Sequence, residues 1–166
     1  MTHADDDAIA RSVETLAAAL RQRGWTMCTA ESCTGGLIAA ACTALAGSSD
    51  WFERGMVTYS NQAKFQLLGV PPALVAAHGA VSAEVACAMA EGALMHSPAD
   101  ASVAVTGIAG PGGATPGKPV GTVWIAVATR GQPATPTGVQ FGGDRAAVRR
   151  QSVLKALQLL LQRLQP

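Results

Sequence analysis

The 166-residue sequence predicts one α/β domain, residues 1–166, with helices on both faces of a mixed sheet of about five strands. Three observations carry this. Segments with helical apolar spacing alternate with short β-branched runs along most of the chain. Apolar residues make up 49% of it and aromatics only 4%, so the core is built from Ala, Val, Leu and Ile packed at short distances. The turns after three of the strands are rich in Gly, Ser and Thr. At this length a single core needs no metal or disulfide to hold it.

The first helix runs from about Asp5 to Arg23, with Ile9, Val13, Leu16 and Leu20 on one face and Gly24 at the stop. Trp25 to Ala30 reads as a strand, Glu31 to Gly36 as a turn, and Leu37 to Leu45 as an Ala-rich helix. Gly47-Ser48-Ser49-Asp50 breaks the chain before a strand over Gly55 to Tyr59, after which Ser60 or Asn61 caps a helix to about Leu68. Pro71-Pro72 ends that unit, a short helical piece reaches Ala77, and Ser82 caps a helix to Met95. Ala101 to Val105 is a strand, the Gly- and Pro-rich stretch from Gly107 to Pro119 a loop, and Val120 to Thr129 the most strand-like run of all. Arg130 to Pro136 reads as a turn and Val139 to Phe141 as a weak edge strand. Asp144 then opens a helix carrying Val153, Leu157, Leu160 and Leu164 on one face.

Composition narrows the partners. A formal charge of +1 without a run of Lys or Arg removes the usual driving force towards nucleic acid or an anionic membrane. The polar, acidic start, Met1 to Asp7, has no signal-peptide pattern and no apolar run reaches spanning length, so a cytoplasmic protein is expected. Cys28, Cys33, Cys42 and Cys87 lack C-x-x-C spacing, and His3, His78 and His96 form no ligand pattern with them; reduced, structural thiols and no metal site are expected.

In such sheets ligands bind beyond the strand ends, and three predicted strands end in Ser32/Thr34, Tyr59/Ser60 and Thr106/Gly107. Glu31-Ser32-Cys33-Thr34-Gly35-Gly36 sets two hydroxyls and two glycines before a helix, where free N–H groups favour an anion or serve an ordinary cap. The loop from Gly107 through Gly110 to Gly113 lets backbone N–H groups approach an anion closely. Gly112 to Lys118 fits G-x-x-x-x-G-K, but Pro119 follows where a P-loop needs Ser or Thr and a strand where it needs a helix, so that reading is rejected.

Lys64 falls in the first turn of its helix, where the dipole and burial both disfavour an ammonium. A neutral lysine is a usable general base for a serine, with Tyr59 relaying or orienting the proton. Ser32, Ser48 and Ser49 are all candidates for that serine. Cys33 lacks a nearby histidine to activate it, and His78 reads as a loop residue. Arg145, Arg149 and Arg150 open the last helix, Arg145 and Arg149 one turn apart, to hold a phosphate or to solvate the surface.

Ala30-Glu31-Ser32-Cys33-Thr34-Gly35-Gly36, Gly47-Ser48-Ser49 through Trp51-Phe52, Val57-Thr58-Tyr59-Ser60-Asn61 with Lys64, Thr106 to Pro111, and Lys118-Pro119-Val120-Gly121-Thr122-Val123 together resemble the C-terminal domain of the CinA family. The resemblance runs from about Gly24 to Leu161. It implies a three-layer α/β/α sandwich, and hydrolysis of the carboxamide of nicotinamide mononucleotide to nicotinate mononucleotide and ammonia, without metal or organic cofactor. It further implies Ser49 as nucleophile, Lys64 as base and Tyr59 as helper, with Ser32, Thr34, Thr106 and Arg145 lining the substrate site. Backbone N–H groups at Gly35-Gly36 or Gly107 to Gly110 would serve the oxyanion or the phosphate. A homodimer is expected. Long family members carry an N-terminal pyrophosphatase-like domain, and that second activity is expected to be absent. The rival expectations are a non-catalytic, competence- or damage-associated nucleotide-binding module and a serine hydrolase acting on another small amide.

Overall fold

The computed structural model describes residues 3–166. Its elements in chain order are α1 (His3–Arg23), β1 (Met27–Glu31), α2 (Leu37–Thr43), a 3-10 turn (Ser48–Asp50), β2 (Phe52–Val57), α3 (Asn61–Leu68), α4 (Pro72–His78), α5 (Ala83–Met95), β3 (Ala101–Gly107), β4 (Thr122–Thr129), β5 (Gln132–Gln140) and α6 (Arg145–Leu164). The strands form one sheet in the order β2-β1-β3-β4-β5. β1 is parallel to both β2 and β3, and β3-β4 and β4-β5 are antiparallel.

From β1 the chain crosses to β2 through α2, then returns past β1 to β3 through α3, α4 and α5. Right-handed crossovers in opposite directions put their helices on opposite faces of the sheet, so two core layers result. α1, α2 and α6 cover one face, where Val103, Val105, Val123, Ile125 and Val127 meet Leu16, Leu20, Leu157 and Leu160. Under α5 the other face of the same strands is small, with Ala104, Ala126 and Ala128 packed against Ala86, Met89, Ala90 and Ala93, and the larger Trp124 joins this layer from β4. The alternation of large and small residues along β3 and β4 thus decides which helix approaches closely, and Ser102 Oγ donates to the Ala90 carbonyl at 2.7 Å across that thin layer.

The largest departures from the expected boundaries are in β2 and β5. β2 begins three residues earlier, at Phe52. β5 is nine residues long and replaces most of the expected turn over Arg130 to Pro136. Pro133 and Pro136 argued for a turn, but β5 pairs only with β4, and an edge strand tolerates residues that cannot donate on its open side. Among the described residues no helix is long and apolar enough to cross a membrane.

α5 also passes so close to the end of α3 that a Cβ on Gly92 would lie 2.1 Å from the Leu68 carbonyl oxygen. Alanine there gains about 1 kcal/mol in helix propensity, yet the clash is with backbone and no rotamer relieves it. Gly92→Ala is therefore expected to lower unfolding free energy by about 2 kcal/mol or more in a denaturant titration.

Candidate active site

The C-terminal ends of the three parallel strands meet at one cleft. β1 runs out into Ser32, whose N–H still donates to the Val105 carbonyl of β3 at 3.0 Å. On the other side of β1 the Thr58 N–H donates to the Glu31 carbonyl, so β2 and β1 separate only beyond these residues. Ser60 then caps α3 by accepting from the Ala63 N–H at 3.0 Å, which places Lys64 one turn into that helix and facing back to the sheet.

The Lys64 side chain is buried, with 1% of the residue exposed. Its Nζ lies 3.1 Å from Ser32 Oγ, 3.0 Å from the Thr58 carbonyl oxygen and 3.5 Å from that of Tyr59. Lys64 is absent from the ion pairs among the described residues. Burial accordingly lowers its pKa from the ordinary lysine value, opposed only in part by the Cys33 thiol nearby. A neutral amine has two N–H groups and one lone pair. Nζ faces all three oxygens as donor; on loss of one proton the two carbonyls keep the N–H groups and the lone pair falls to the Ser32 hydroxyl.

Ser32, Cys33, Tyr59, Asn61, Lys64, Ala80, Val81, Thr106, Gly107, Ala109 and Arg145 line a cleft of about 240 Å³. Arg145 holds its rim together, donating to the Gly110 carbonyl at 2.8 Å and to the Tyr59 hydroxyl at 2.9 Å. Thr106 Oγ1 donates to the Ala80 carbonyl at 2.8 Å, tying β3 to the loop before α5. Burial pushes the Cys33 thiol up to about 11, so the thiolate that a nucleophile requires is scarce at neutral pH.

The turn between Ser32 and α2 is organised by Glu31. This fully buried carboxylate accepts from Thr34 Oγ1 at 2.8 Å, from the Ile38 and Ala39 N–H groups at 2.8 and 3.0 Å, and from Thr29 Oγ1 at 3.2 Å. The protein's own anion thus sits at the positive end of α2.

With that geometry in place, the chain can be set beside known proteins. The sequence model of the CinA C-terminal domain matches residues 9–164. The chain belongs to the CinA C-terminal domain family. It is 53% identical over 158 residues to the nicotinamide-nucleotide amidohydrolase PncC of Escherichia coli strain K12, covering 95% of each chain. The protein of the same name from Enterobacter agglomerans is 52% identical over 150 residues, covering 90% of this chain and 91% of its own. Among solved structures, the competence/damage inducible protein CihA of Agrobacterium tumefaciens superposes with a TM-score of 0.93 at 43% identity, over 95% of this chain and 96% of that one.

Within this CinA domain the structure brings Ser32, Tyr59, Lys64, Thr106, Gly107 and Arg145 together. It does not bring Ser49 to them. Ser49 is exposed in the 3-10 turn that precedes β2, anchored to the end of α1 by Arg21, which donates to the Gly47 carbonyl at 3.0 Å and pairs with Asp50 at 3.7 Å. Lys64 sits beyond the opposite end of β2, a strand of six residues and so roughly 20 Å long. The serine facing the lysine is Ser32, while Ser49 and Ser48 share the remote turn.

Thr34, Gly35, Gly36 and Gly110 also lie outside the cleft lining. The Thr34 hydroxyl is committed to Glu31, and the Gly110 carbonyl to Arg145. His78 closes α4, 3.6 Å from Glu84, and is not among the residues lining the cleft. Arg150 pairs with Asp6 on the surface of the helix layer. Asn61 is the lining residue that sequence reading passed over as a possible cap, although its i, i+3 spacing from Lys64 puts both on one face of α3. Ala80 and Val81 carry no chemical signal in the sequence; only the fold delivers them.

Lys64 binds fewer protons folded than unfolded at any pH between its lowered value and the ordinary 10.5. Its contribution to stability therefore rises with pH across that window and stays at its lowest below it. Lys64→Met is expected to melt higher than the wild type at pH 7 and to lose part of the rise in midpoint towards pH 10, read as the difference between paired thermal melts.

Proposed function

We propose that the chain hydrolyses the carboxamide of nicotinamide mononucleotide to nicotinate mononucleotide and ammonia, with Ser32 as nucleophile and Lys64 as its general base. The observation that carries this reading is the buried, unpaired Lys64 amine 3.1 Å from Ser32 Oγ, with two backbone carbonyls occupying its N–H directions. The relatives named nicotinamide-nucleotide amidohydrolase, matched over nearly their whole length, supply the substrate.

In this scheme Lys64 takes the Ser32 proton as Oγ bonds to the carboxamide carbon, giving a tetrahedral intermediate. The resulting ammonium of Lys64 then protonates the departing nitrogen; the C–N bond breaks, ammonia leaves, and an acyl ester remains on Ser32. Water, deprotonated by the same amine, cleaves the ester to nicotinate mononucleotide and restores the serine. Cys33 and Gly107 line the cleft, and backbone N–H groups of their segments would serve the oxyanion. A Cβ on Gly107 would come 2.7 Å from Val123 Cγ2 and 3.2 Å from Cys33 Sγ, so only glycine keeps the two segments this close.

Tyr59 is 60% exposed and held by Arg145 at the rim, a place suited to orienting the nucleotide. The Arg145 guanidinium is the cation at the cleft for a phosphate. Asn61 offers a carboxamide from the first turn of α3. No cofactor takes part in this chemistry, and the same reading places the enzyme in the cytoplasm as a homodimer.

Ammonia and nicotinate mononucleotide are expected in equal amounts from nicotinamide mononucleotide. Ser32→Ala and Lys64→Ala should each lower kcat at least about 1000-fold in folded protein, and Ser49→Ala should leave it near wild type. Full activity in Ser32→Ala, or its loss in Ser49→Ala, would return the nucleophile to the remote turn. The acid limb of the kcat/KM profile reports the base, and should lie below the ordinary lysine range because burial lowers the Lys64 pKa.

A further inference from the structure

We infer that Arg149 is a positioning residue for Ser32, holding the turn that carries the nucleophile at hydrogen-bonding distance from Lys64. Its Nε donates to the Cys33 carbonyl at 3.1 Å and its NH2 group to the Thr34 carbonyl at 3.2 Å. These are the carbonyls of the two residues that directly follow Ser32. The inference rests on Ser32 and Lys64 being the reacting pair.

The turn needs such a hold. Gly35 and Gly36 both adopt the left-handed region, with φ of 58° and 102°, and glycine restrains the backbone less than any other residue. Within the turn only the Gly35 N–H to Ser32 carbonyl bond, at 3.0 Å, closes directly on the serine. Glu31 fixes the turn from the core side through Thr34 Oγ1, and Arg149 fixes it from the α6 side through two charge-assisted bonds. A planar fork meeting two successive carbonyls sets both the position and the tilt of their peptide planes, which a point charge does not.

Arg149 does not line the cleft, so the anion-holding role open to it from the sequence falls to Arg145 alone. Arg145 stands one turn earlier on the same face of α6 and reaches Gly110 and Tyr59. The first two turns of α6 therefore grip both walls of the cleft, one arginine to each. Ser32 Oγ and Lys64 Nζ are brought together by elements that share no helix, and a shift of about 1 Å between reacting groups costs about 100-fold in rate.

The experiment compares purified wild type, Arg149→Ala and Arg149→Lys for kcat and KM on nicotinamide mononucleotide, and for the rate at which a fluorophosphonate probe labels Ser32. Arg149→Ala is expected to lose about 100-fold in kcat with KM within about twofold, and to label slower by a similar factor. Arg149→Lys should fall between, since a single ammonium reaches one carbonyl. Added guanidinium ion should restore part of kcat in Arg149→Ala and none in Ser32→Ala. A folded Arg149→Ala with wild-type kcat and labelling rate overturns the inference, as does a raised KM with unchanged kcat, which would make Arg149 a substrate ligand. Should Arg149→Ala fail to fold, a folded Arg149→Lys at wild-type kcat overturns it equally. Wild type that takes the label at Ser32 but leaves nicotinamide mononucleotide intact sinks the substrate reading alone, and the labelling rates of the variants then decide. Wild type inert to both probe and nucleotide sinks the two together.

Discussion

The arrangement at the cleft depends on a lysine amine that has been taken out of water without a counter-charge. An isolated ammonium in such a place is costly, and burial lowers the pKa of the group. Once neutral, Lys64 has two donors and one acceptor to satisfy, and Thr58, Tyr59 and Ser32 do so. The surrounding chain serves that requirement. β2 ends at Val57, so the Thr58 and Tyr59 carbonyls turn away from the ladder; Ser60 starts α3 at the residue that brings Lys64 back over them; and β1 ends where Ser32 can meet the amine.

A second buried polar group, the Glu31 carboxyl, is surrounded by donors. It keeps four hydrogen-bond donors, two of them N–H groups at the start of α2, and so remains solvated by the protein itself. Two adjacent residues, Glu31 and Ser32, thereby have separate duties, one fixing the helix that follows β1 and the other facing the cleft. The small-residue face of the sheet completes the frame. Because α5 packs closely on Ala104, Ala126 and Ala128, the loop that precedes it comes near enough for the Ala80 carbonyl to meet Thr106.

Much of the fold was legible because its signals are local. The apolar faces of α1 and α6, the Ser82 and Asp144 caps and the β-branched run of β4 each depend on residues within a few positions of one another. The first part of β5 was read as a turn because its prolines look like one until its place at the sheet edge is known. At the site, Lys64 stood out by its position at the positive end of a helix, and Ser32, Thr106 and Gly107 by following strands. Glu31 was passed over, and Arg149 was read as a phosphate-holding or surface arginine, because most of their partners are backbone groups, which every residue carries alike.

The sequence by itself determined the class of fold, the strand ends that form the cleft and the lysine with its depressed basicity, since these follow from periodicity, caps and helix polarity. Only the tertiary structure decided which serine the lysine faces. Ser32 and Ser49 lie 32 and 15 positions from Lys64 in the chain, and the nearer in sequence is the farther in space: β2 runs parallel to β1, so the turn that leads into β2 lies at one end of the sheet and the end of β1 at the other. Strand direction is a relation between segments, and no single segment encodes it.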